Sequence, residues 1–464
     1  MNFCEYKKSM ENKRVCVIGI GVSNLPLIKL LARWGAKVTA LDKRNETQLG
    51  TDYTDLACLG VSFGLGEDYL SKIPEDTEVL FKTPGIRVDE PEILKAKENG
   101  AVITSEMELF FDFCPCPIIA ITGSDGKTTT TTLVSEFLKA DGKTVYLGGN
   151  IGMPLVSELD NIKADDKVVL ELSSFQLHTL RKSAEISLVT NITPNHLNWH
   201  TDYKEYIDSK KNIFAFQDNN GVTVLNYDND ITRSFAKEAK NPVFFSILEN
   251  LADGYCLDGK DLVKKKNGEI VERYFSYEDI FIPGMHNVEN YLAAIAATDG
   301  IVSKDVFHHV AKNFKGVPHR IEKVRELDGV IYYNDSIASS PARTIAGLKS
   351  FDKKVILIAG GEDKKIPYDE FGVELNNRIK KLVLVGRTSK VIYDGVVNAK
   401  NYNGLEIHKI EGISKDAFRE AVEYAKKIAE DGDIVLLSPA STSFDIFKNF
   451  EERGNFFKEV VNSL

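Results

Sequence analysis

The feature that most constrains this chain is an apolar run that breaks into a short glycine loop. Pro117-Ile-Ile-Ala-Ile121 reads as a strand, Thr122-Gly-Ser-Asp-Gly-Lys-Thr128 follows at once, and residues 129–140 carry a helical pattern. Strand, glycine-bearing loop and helix is the context that a phosphate loop needs. Gly123 and Gly126 let the backbone turn its N–H groups, with those of Ser124 and Asp125 between them, onto phosphate oxygens. Lys127 supplies a cation for β- and γ-phosphates, and the Thr128 hydroxyl can ligate Mg2+ next to Thr129. The general pattern has about four residues between its glycines. Here only Ser124 and Asp125 intervene, so the loop is a shorter variant, and a bare glycine turn before a polar helix start is the competing reading.

The same alternation recurs on both sides of this loop. Arg14-Val-Cys-Val-Ile-Gly19 is a β-branched run, Gly19-Ile-Gly21-Val22-Ser23-Asn24 follows, residues 25–34 are helical in pattern, and a second strand over 37–41 ends at Asp42. This nearly matches a dinucleotide fingerprint, with an acid about 20 residues downstream. Asn24 stands where the third glycine belongs, so a tight turn without a ligand and a nucleotide site both remain open. Further strands are expected over 167–172, 186–190, 329–333, 354–361, 381–386 and 433–438, and helices over 204–216, 416–429 and 444–452. Residues 218–282 read as a mostly β or mixed insert. Alternating strands and helices predict an α/β protein with mainly parallel sheets. The 464 residues, at about 100–200 per domain, suggest about three domains. We place them at 1–112, 113–316 and 317–464. Ligands in such sheets bind beyond the carboxyl ends of strands, which puts Asp335, Lys364 and Ser443 near one crevice.

Composition narrows the partners. A net charge of −10 argues against a general nucleic-acid or anionic-membrane binder, which needs a basic surface. The six cysteines are scattered, unlike a disulfide scaffold. Cys114-Pro-Cys116 has no second pair facing it and reads as free thiols near a domain join rather than a zinc site. The first fourteen residues are polar, so no secretory leader is expected, and no apolar run suits a membrane span. A monomer in a reducing cytoplasm is expected.

Other residues gain weight only as a set. Glu171 ends a strand, where an acid facing a phosphate loop can hold Mg2+. His196 alone would be structural, and Lys210 and Lys211 alone a solvated helix face. Gly284-Met-His-Asn287 precedes an Ala-rich helix, where Asn287 can cap or bind a ligand. In order along the chain stand Thr122-Gly-x-x-Gly-Lys-Thr128, Gly149-Asn150-Ile-Gly152, Glu171-Leu-Ser-Ser-Phe-Gln176, Asn191-Ile-Thr-Pro-x-His196, Gly284-x-His-Asn287, His319-Arg320 and Asn334-Asp335-Ser336. Together these motifs resemble the Mur ligase family along nearly the whole chain.

The resemblance implies an N-terminal Rossmann-like UDP-binding domain, a central P-loop-type ATPase domain with a mixed sheet, and a C-terminal Rossmann-like domain that binds an amino acid. It implies an ATP-dependent ligase of peptidoglycan precursor synthesis that works through an acyl phosphate. The stretches Leu436-Leu-Ser-Pro-Ala-Ser-x-Ser-Phe-Asp445 and Phe450-Glu-x-Arg-Gly454 resemble the members that add D-glutamate to UDP-N-acetylmuramoyl-L-alanine. By the same resemblance Lys127 and the loop amides hold ATP, with Thr128 and Glu171 on one Mg2+ and His196 on a second. Lys210 matches a carbamylated lysine that helps bind metal, with Lys211 as the register alternative. Asn287, Arg320 and Asp335 match nucleotide contacts, and Asn150 a contact to the muramoyl substrate. Val22, Ser23, Asp42, Arg44 and the loop Thr83-Pro-Gly85 fall where the UDP group is held. Lys364, Ser443 and Phe450 match positions that bind D-glutamate, and Ser339 falls where a threonine is common. One departure is Ile337, where many members have a lysine.

Overall fold

The computed structural model describes residues 1–362 and 368–464. Its strands form three sheets. The first holds β1 (Arg14–Ile18), β2 (Lys37–Asp42), β3 (Ser62–Leu65), β4 (Val79–Phe81) and β5 (Val102–Thr104), all parallel, in the order β3-β2-β1-β4-β5. The chain winds outward from β1 in both directions, so the loops after β1 and β4 flank the point where the strand order reverses. Such a switch point is where ligands bind in sheets of this kind.

The second sheet holds β6 (Ile118–Thr122), β7 (Val145–Gly149), β8 (Lys167–Glu171), β9 (Ile186–Val189), β10 (Val222–Asn226), β11 (Asn241–Phe245), β12 (Gly254–Asp258), β13 (Asp261–Lys266) and β14 (Glu269–Ser276). Their order is β14-β13-β12-β11-β10-β9-β6-β8-β7, parallel from β7 to β12 and antiparallel across β12, β13 and β14. It is thus a mixed sheet, and residues 218–282 supply its β-rich end. Every residue of β6 is buried. A parallel strand covered on both faces needs a continuous apolar run like Ile118–Ile121 rather than an alternating one. The third sheet holds β15 (Glu322–Leu327), β16 (Val330–Asn334), β17 (Val355–Ala359), β18 (Ile379–Leu384), β19 (Glu406–Lys409) and β20 (Ile434–Leu437), ordered β15-β16-β20-β17-β18-β19. Only the β15–β16 pair is antiparallel.

These sheets fall into two compact units, residues 1–280 with 285–312, and residues 281–284 with 313–464. The first two sheets share a unit because one apolar core runs through both. Leu27, Leu31 and Phe110 belong to the same cluster as Leu155, Leu170 and Leu177. In the second unit the helix Lys415–Ile428 buries Ala417, Phe418, Ala421, Val422 and Ala425, a stripe at three- and four-residue spacing, against β17 and β18. The helix expected over 444–452 is found further on. Residues 444–449 form a turn in which the Ile446 and Phe447 amides donate to the Ser443 carbonyl. The helix itself runs Phe450–Ser463, started by Asn449, whose side chain accepts from the Glu452 amide at 2.7 Å. An Asn cap supplies an acceptor to an otherwise unpaired first-turn N–H, so it sets the boundary more strongly than the apolar pattern does. No helix among the described residues is long and apolar enough to cross a membrane.

Candidate active site

Residues 122–126 turn sharply between β6 and the helix Lys127–Ala140. Gly123 has φ 147° and Gly126 φ 77°, backbone regions that residues with a Cβ avoid. Space enforces the choice as well. A Cβ on Gly123 would stand 1.8 Å from Thr190 Oγ1, and one on Gly126 2.5 Å from Asn290 Oδ1. The loop is tied to the segment after β9. The Ser124 amide donates to Asn191 O, and the Asp125 amide to Asn191 Oδ1. Thr190 Oγ1 donates to Asp125 O, and Ser124 Oγ shares a 2.8 Å bond with the Tyr206 hydroxyl. Thr128 and Thr129 sit buried in the first turn of the helix.

Two lysines converge on one carbonyl of this loop. Lys127 Nζ donates to Gly123 O at 2.8 Å and to Ser124 O at 2.9 Å. Lys210 Nζ donates to the same Gly123 O at 2.7 Å and to Thr122 Oγ1 at 3.2 Å. Lys210 lies on the helix Tyr203–Lys211, which Asp202 caps, and is 2% exposed. Burial, then the Lys127 charge, hold its amine well below the usual lysine range. Its neighbour Lys211 instead pairs with Glu238 at 2.6 Å in a partly exposed bridge.

Glu171, at the end of β8, is 1% exposed. Its Oε1 accepts from Asn150 Nδ2 at 2.8 Å, while its Oε2 is buried without a hydrogen-bond partner. A buried carboxylate oxygen without a donor is costly, and a bound cation is one way to satisfy it. His196 is exposed, with φ 54°, rare for a non-glycine residue. The turn that holds it closes through the Trp199 and His200 amides, both donating to His196 O. Its ring stands edge-on to Phe175 with centroids 4.9 Å apart. Among the described residues no three His, Cys, Asp or Glu side chains converge as a metal site made from those residues alone would require.

In the first sheet, Asp42 Oδ2 accepts from the Ile20 amide at 2.8 Å, and Asp42 pairs with Arg44 at 2.9 Å. Burial pushes the Asp42 carboxyl up, but the bonds from Arg44 and Ile20 together hold it below its usual range. Asn24, in place of the third glycine, donates through Nδ2 to Ile18 O and pins the end of β1. Val22 is exposed and Ser23 half-buried beside it, while Thr83 and Gly85 follow β4. The loops after β1 and β4 approach each other at the switch point, where a Cβ on Gly19 would stand 3.2 Å from the Thr83 side chain. Asn287 lies inside the first turn of the helix Met285–Thr298, not ahead of it, and accepts from Asn290 Nδ2 at 3.3 Å.

In the second unit Asp335 follows β16 and is buried. Burial pushes its carboxyl up to about 7, opposed by the bond from Ser438 Oγ at 2.7 Å and by the Arg320 charge. Ser443 is buried, Ser339 half-buried, and Phe450 opens the last helix with its carbonyl accepting from Ser336 Oγ at 2.7 Å. Ile337 bonds through its backbone alone: its amide donates to His319 O at 3.1 Å, and its carbonyl accepts from the Ser339 amide at 2.8 Å and from Arg343 Nη1 at 3.4 Å. Lys364 lies outside the described residues.

A model of the Mur ligase middle domain matches residues 121–298, and one of the Mur ligase glutamate ligase domain matches residues 319–441. The chain is 51% identical to UDP-N-acetylmuramoylalanine--D-glutamate ligase of Acetivibrio thermocellus, over 99% of its own length and 98% of that protein's. The protein of the same name from Clostridium novyi is 51% identical over 100% and 99%. The chain belongs to the Mur ligase family. Its fold agrees with solved structures at low identity. UDP-N-acetylmuramate-alanine ligase of Thermotoga maritima superimposes with a TM-score of 0.57 at 20% identity, over 97% of this chain and 99% of that one. A MurF ligase of the same organism, solved in complex with ADP, gives 0.55 at 18%, over 98% and 97%.

Several residues of this Mur ligase escape a reading of its motifs. Tyr206 supports the phosphate loop from the same helix as Lys210, four residues earlier, a spacing that puts both on one face. Arg87 and Glu205 meet across 118 residues of sequence, and no local pattern marks either. Arg453 is 2% exposed and bonds Ser336 and Ser441. It lies in the quoted Phe-Glu-x-Arg-Gly stretch, so the signal was present without a role.

Proposed function

We propose that this Mur ligase uses ATP to join D-glutamate to UDP-N-acetylmuramoyl-L-alanine, releasing ADP and phosphate. The observation that carries the chemistry is the pair of lysines on Gly123 O, one of them buried without an acid. The substrate pair follows from the relatives of that name, half identical over the full length.

The substrate carboxylate attacks the γ-phosphorus, an O–P bond forms, and the bond to the bridging oxygen of ADP breaks. The acyl phosphate turns a poor electrophile into a good one. The D-glutamate nitrogen then bonds to the acyl carbon, phosphate leaves, and the nitrogen loses a proton. Two anions must approach in the first step, so Lys127 and the loop amides have to neutralise charge as it gathers on the phosphates. Burial and the Lys127 charge both favour the neutral amine, and in that form Lys210 can add to CO2, giving a carbamate and a proton and placing an anion beside the loop. Thr128, Glu171, His196 and that carbamate would supply oxygen ligands and one imidazole, and the unpartnered Glu171 oxygen suits a hard cation. Mg2+ held there would screen the two anions and polarise the γ-phosphate. Asn287, Arg320 and Asp335 serve the nucleotide. Val22, Ser23, Asp42, Arg44, Thr83, Gly85 and Asn150 serve the UDP substrate, and Ser339, Lys364, Ser443 and Phe450 the amino acid.

The test is phosphate release with ATP, Mg2+ and UDP-N-acetylmuramoyl-L-alanine across a panel of amino acids. Strong dependence on D-glutamate is expected, with 18O from the substrate carboxylate recovered in phosphate. Equal rates with other amino acids would overturn the assignment of substrate, and unlabelled phosphate would overturn the acyl-phosphate route.

A further inference from the structure

The loop after β4 and the segment that carries His196 are parts of one compact unit, and Arg87 bonds from the first to Trp199 of the second. Arg87 follows Thr83-Pro-Gly85. A guanidinium has five N–H donors in a fixed fork, and here each is used. Nε donates to Asp89 Oδ1 at 2.8 Å, and Nη2 to Asp89 Oδ2 at 2.8 Å and Glu205 Oε1 at 2.9 Å. Nη1 donates to Glu205 Oε2 and to Trp199 O, both at 3.0 Å. No donor is left for a substrate. The residue therefore acts on its neighbours rather than on a ligand.

Those neighbours hold His196. Trp199 closes the turn onto His196 O, and its Nε1 donates back to Gly85 O at 2.9 Å. The Arg87 guanidinium lies 5.1 Å from the Trp199 ring centre, and Phe175 packs on both Trp199 and His196. Glu205, at the other end of the fork, accepts from the Thr201 amide at 2.8 Å and lies 3.2 Å from His178 Nε2. It stands on the same helix as Lys210. The left-handed backbone at His196 is thus fixed by a turn whose far end is bolted to the loop after β4. Strained conformations persist where the surroundings over-determine them.

We propose that Arg87 and Trp199 are positioning residues that couple occupancy of the loop Thr83–Gly85 to the placement of His196. Binding of the UDP substrate and binding of magnesium nucleotide then strengthen each other. This rests on the reading of those two elements as UDP-substrate and metal contacts. Gly85 is joined to Trp199 by one bond and Arg87, two residues on, by another, and Trp199 is joined to His196 through one turn.

The experiment is calorimetric titration of the full-length protein with UDP-N-acetylmuramoyl-L-alanine, with and without Mg2+ and a non-hydrolysable ATP analogue. Allosteric couplings typically amount to about 5- to 150-fold in affinity, and we expect a wild-type ratio in that range. In Arg87→Met the ratio falls to within about twofold of one, while the affinity measured without nucleotide stays near the wild-type value. Trp199→Phe keeps the ring and loses the bond to Gly85, so its ratio should fall partway, and it decides the matter if Arg87→Met does not fold. A residue that merely stabilises the fold would lower the melting temperature and leave the ratio intact, and that outcome overturns the proposal. So does a wild-type ratio of one. Wild-type turnover, measured in parallel, reports separately on the functional reading. Turnover without coupling removes this inference alone, and coupling without turnover removes the reaction and leaves the coupling standing.

Discussion

Lys210 beside the loop 122–128 and Arg453 beneath the carboxyl ends of the third sheet are both basic side chains 2% exposed. Among the described residues neither has a carboxylate within bridging distance. Lys210 meets one carbonyl and one hydroxyl, whereas Arg453 meets Ser336 Oγ at 3.0 Å, Ser336 O at 2.9 Å and Ser441 O at 3.1 Å. The difference lies in what burial can do to each group. A lysine can shed its proton and become a nucleophile, while a guanidinium stays charged. Burial brings Arg453 down only to about 10. The first site gains an amine that burial biases toward its neutral form. The second gains a permanent fork that staples the loop after β16 to the loop after β20.

The sharpest way to break this comparison is Lys210→Ala. Loss of a group that stabilises charge at the reacting centre costs about 10²- to 10³-fold in turnover, and a short carboxylate such as acetate should restore part of it. Rescue by a primary amine instead would make Lys210 a cation after all and erase the contrast with Arg453. Lys211→Ala is the control, since its partly exposed bridge to Glu238 contributes at most about 1 kcal/mol, and turnover should hardly move.

Glu106 extends the comparison to an acid. It is buried with Oε1 unpartnered, and burial pushes its carboxyl up to about 7. The folded state then holds the proton that the unfolded state releases between pH 4.5 and about 7. Stability from this group is full below 4.5 and is lost as pH rises through that window. Glu106→Gln should therefore match the wild type at pH 4 and exceed it by about 3 kcal/mol above pH 7. Urea unfolding at the two pH values checks this, and a constant difference would mean that Glu106 keeps its charge.

The smallest effect is expected for Arg453→Lys. An ammonium cannot span both loops, so it leaves one buried carbonyl without a donor, at about 1–3 kcal/mol. Thermal unfolding measures the loss. A variant as stable as the wild type would show that the fork is not what joins the two loops.

The phosphate loop was legible because strand, loop and helix are contiguous, and each element carries its own pattern. Lys210 was legible by spacing after a histidine, but its choice over Lys211 needed the helix phase, which turns Lys210 inward onto Gly123 and Lys211 out to Glu238. Apolar periodicity misplaced the last helix, because Ser443 and Asn449 divert the intervening amides into a turn and a cap. The Arg87–Glu205 pairing was invisible, since local pattern carries no information about which acid closes on which arginine 118 residues away. The union of the first two sheets into one unit was hidden for the same reason, as a core assembled from distant segments leaves no local mark.

The tight quarters of Gly123 and Gly126 bear on drug resistance. A methyl group at Gly123 would collide with Thr190, and one at Gly126 with Asn290. An inhibitor that packs against the backbone of these two glycines would face a surface that point mutation cannot redraw by adding bulk. Escape would have to begin with Thr190 or Asn290, the residues that hold the loop in shape.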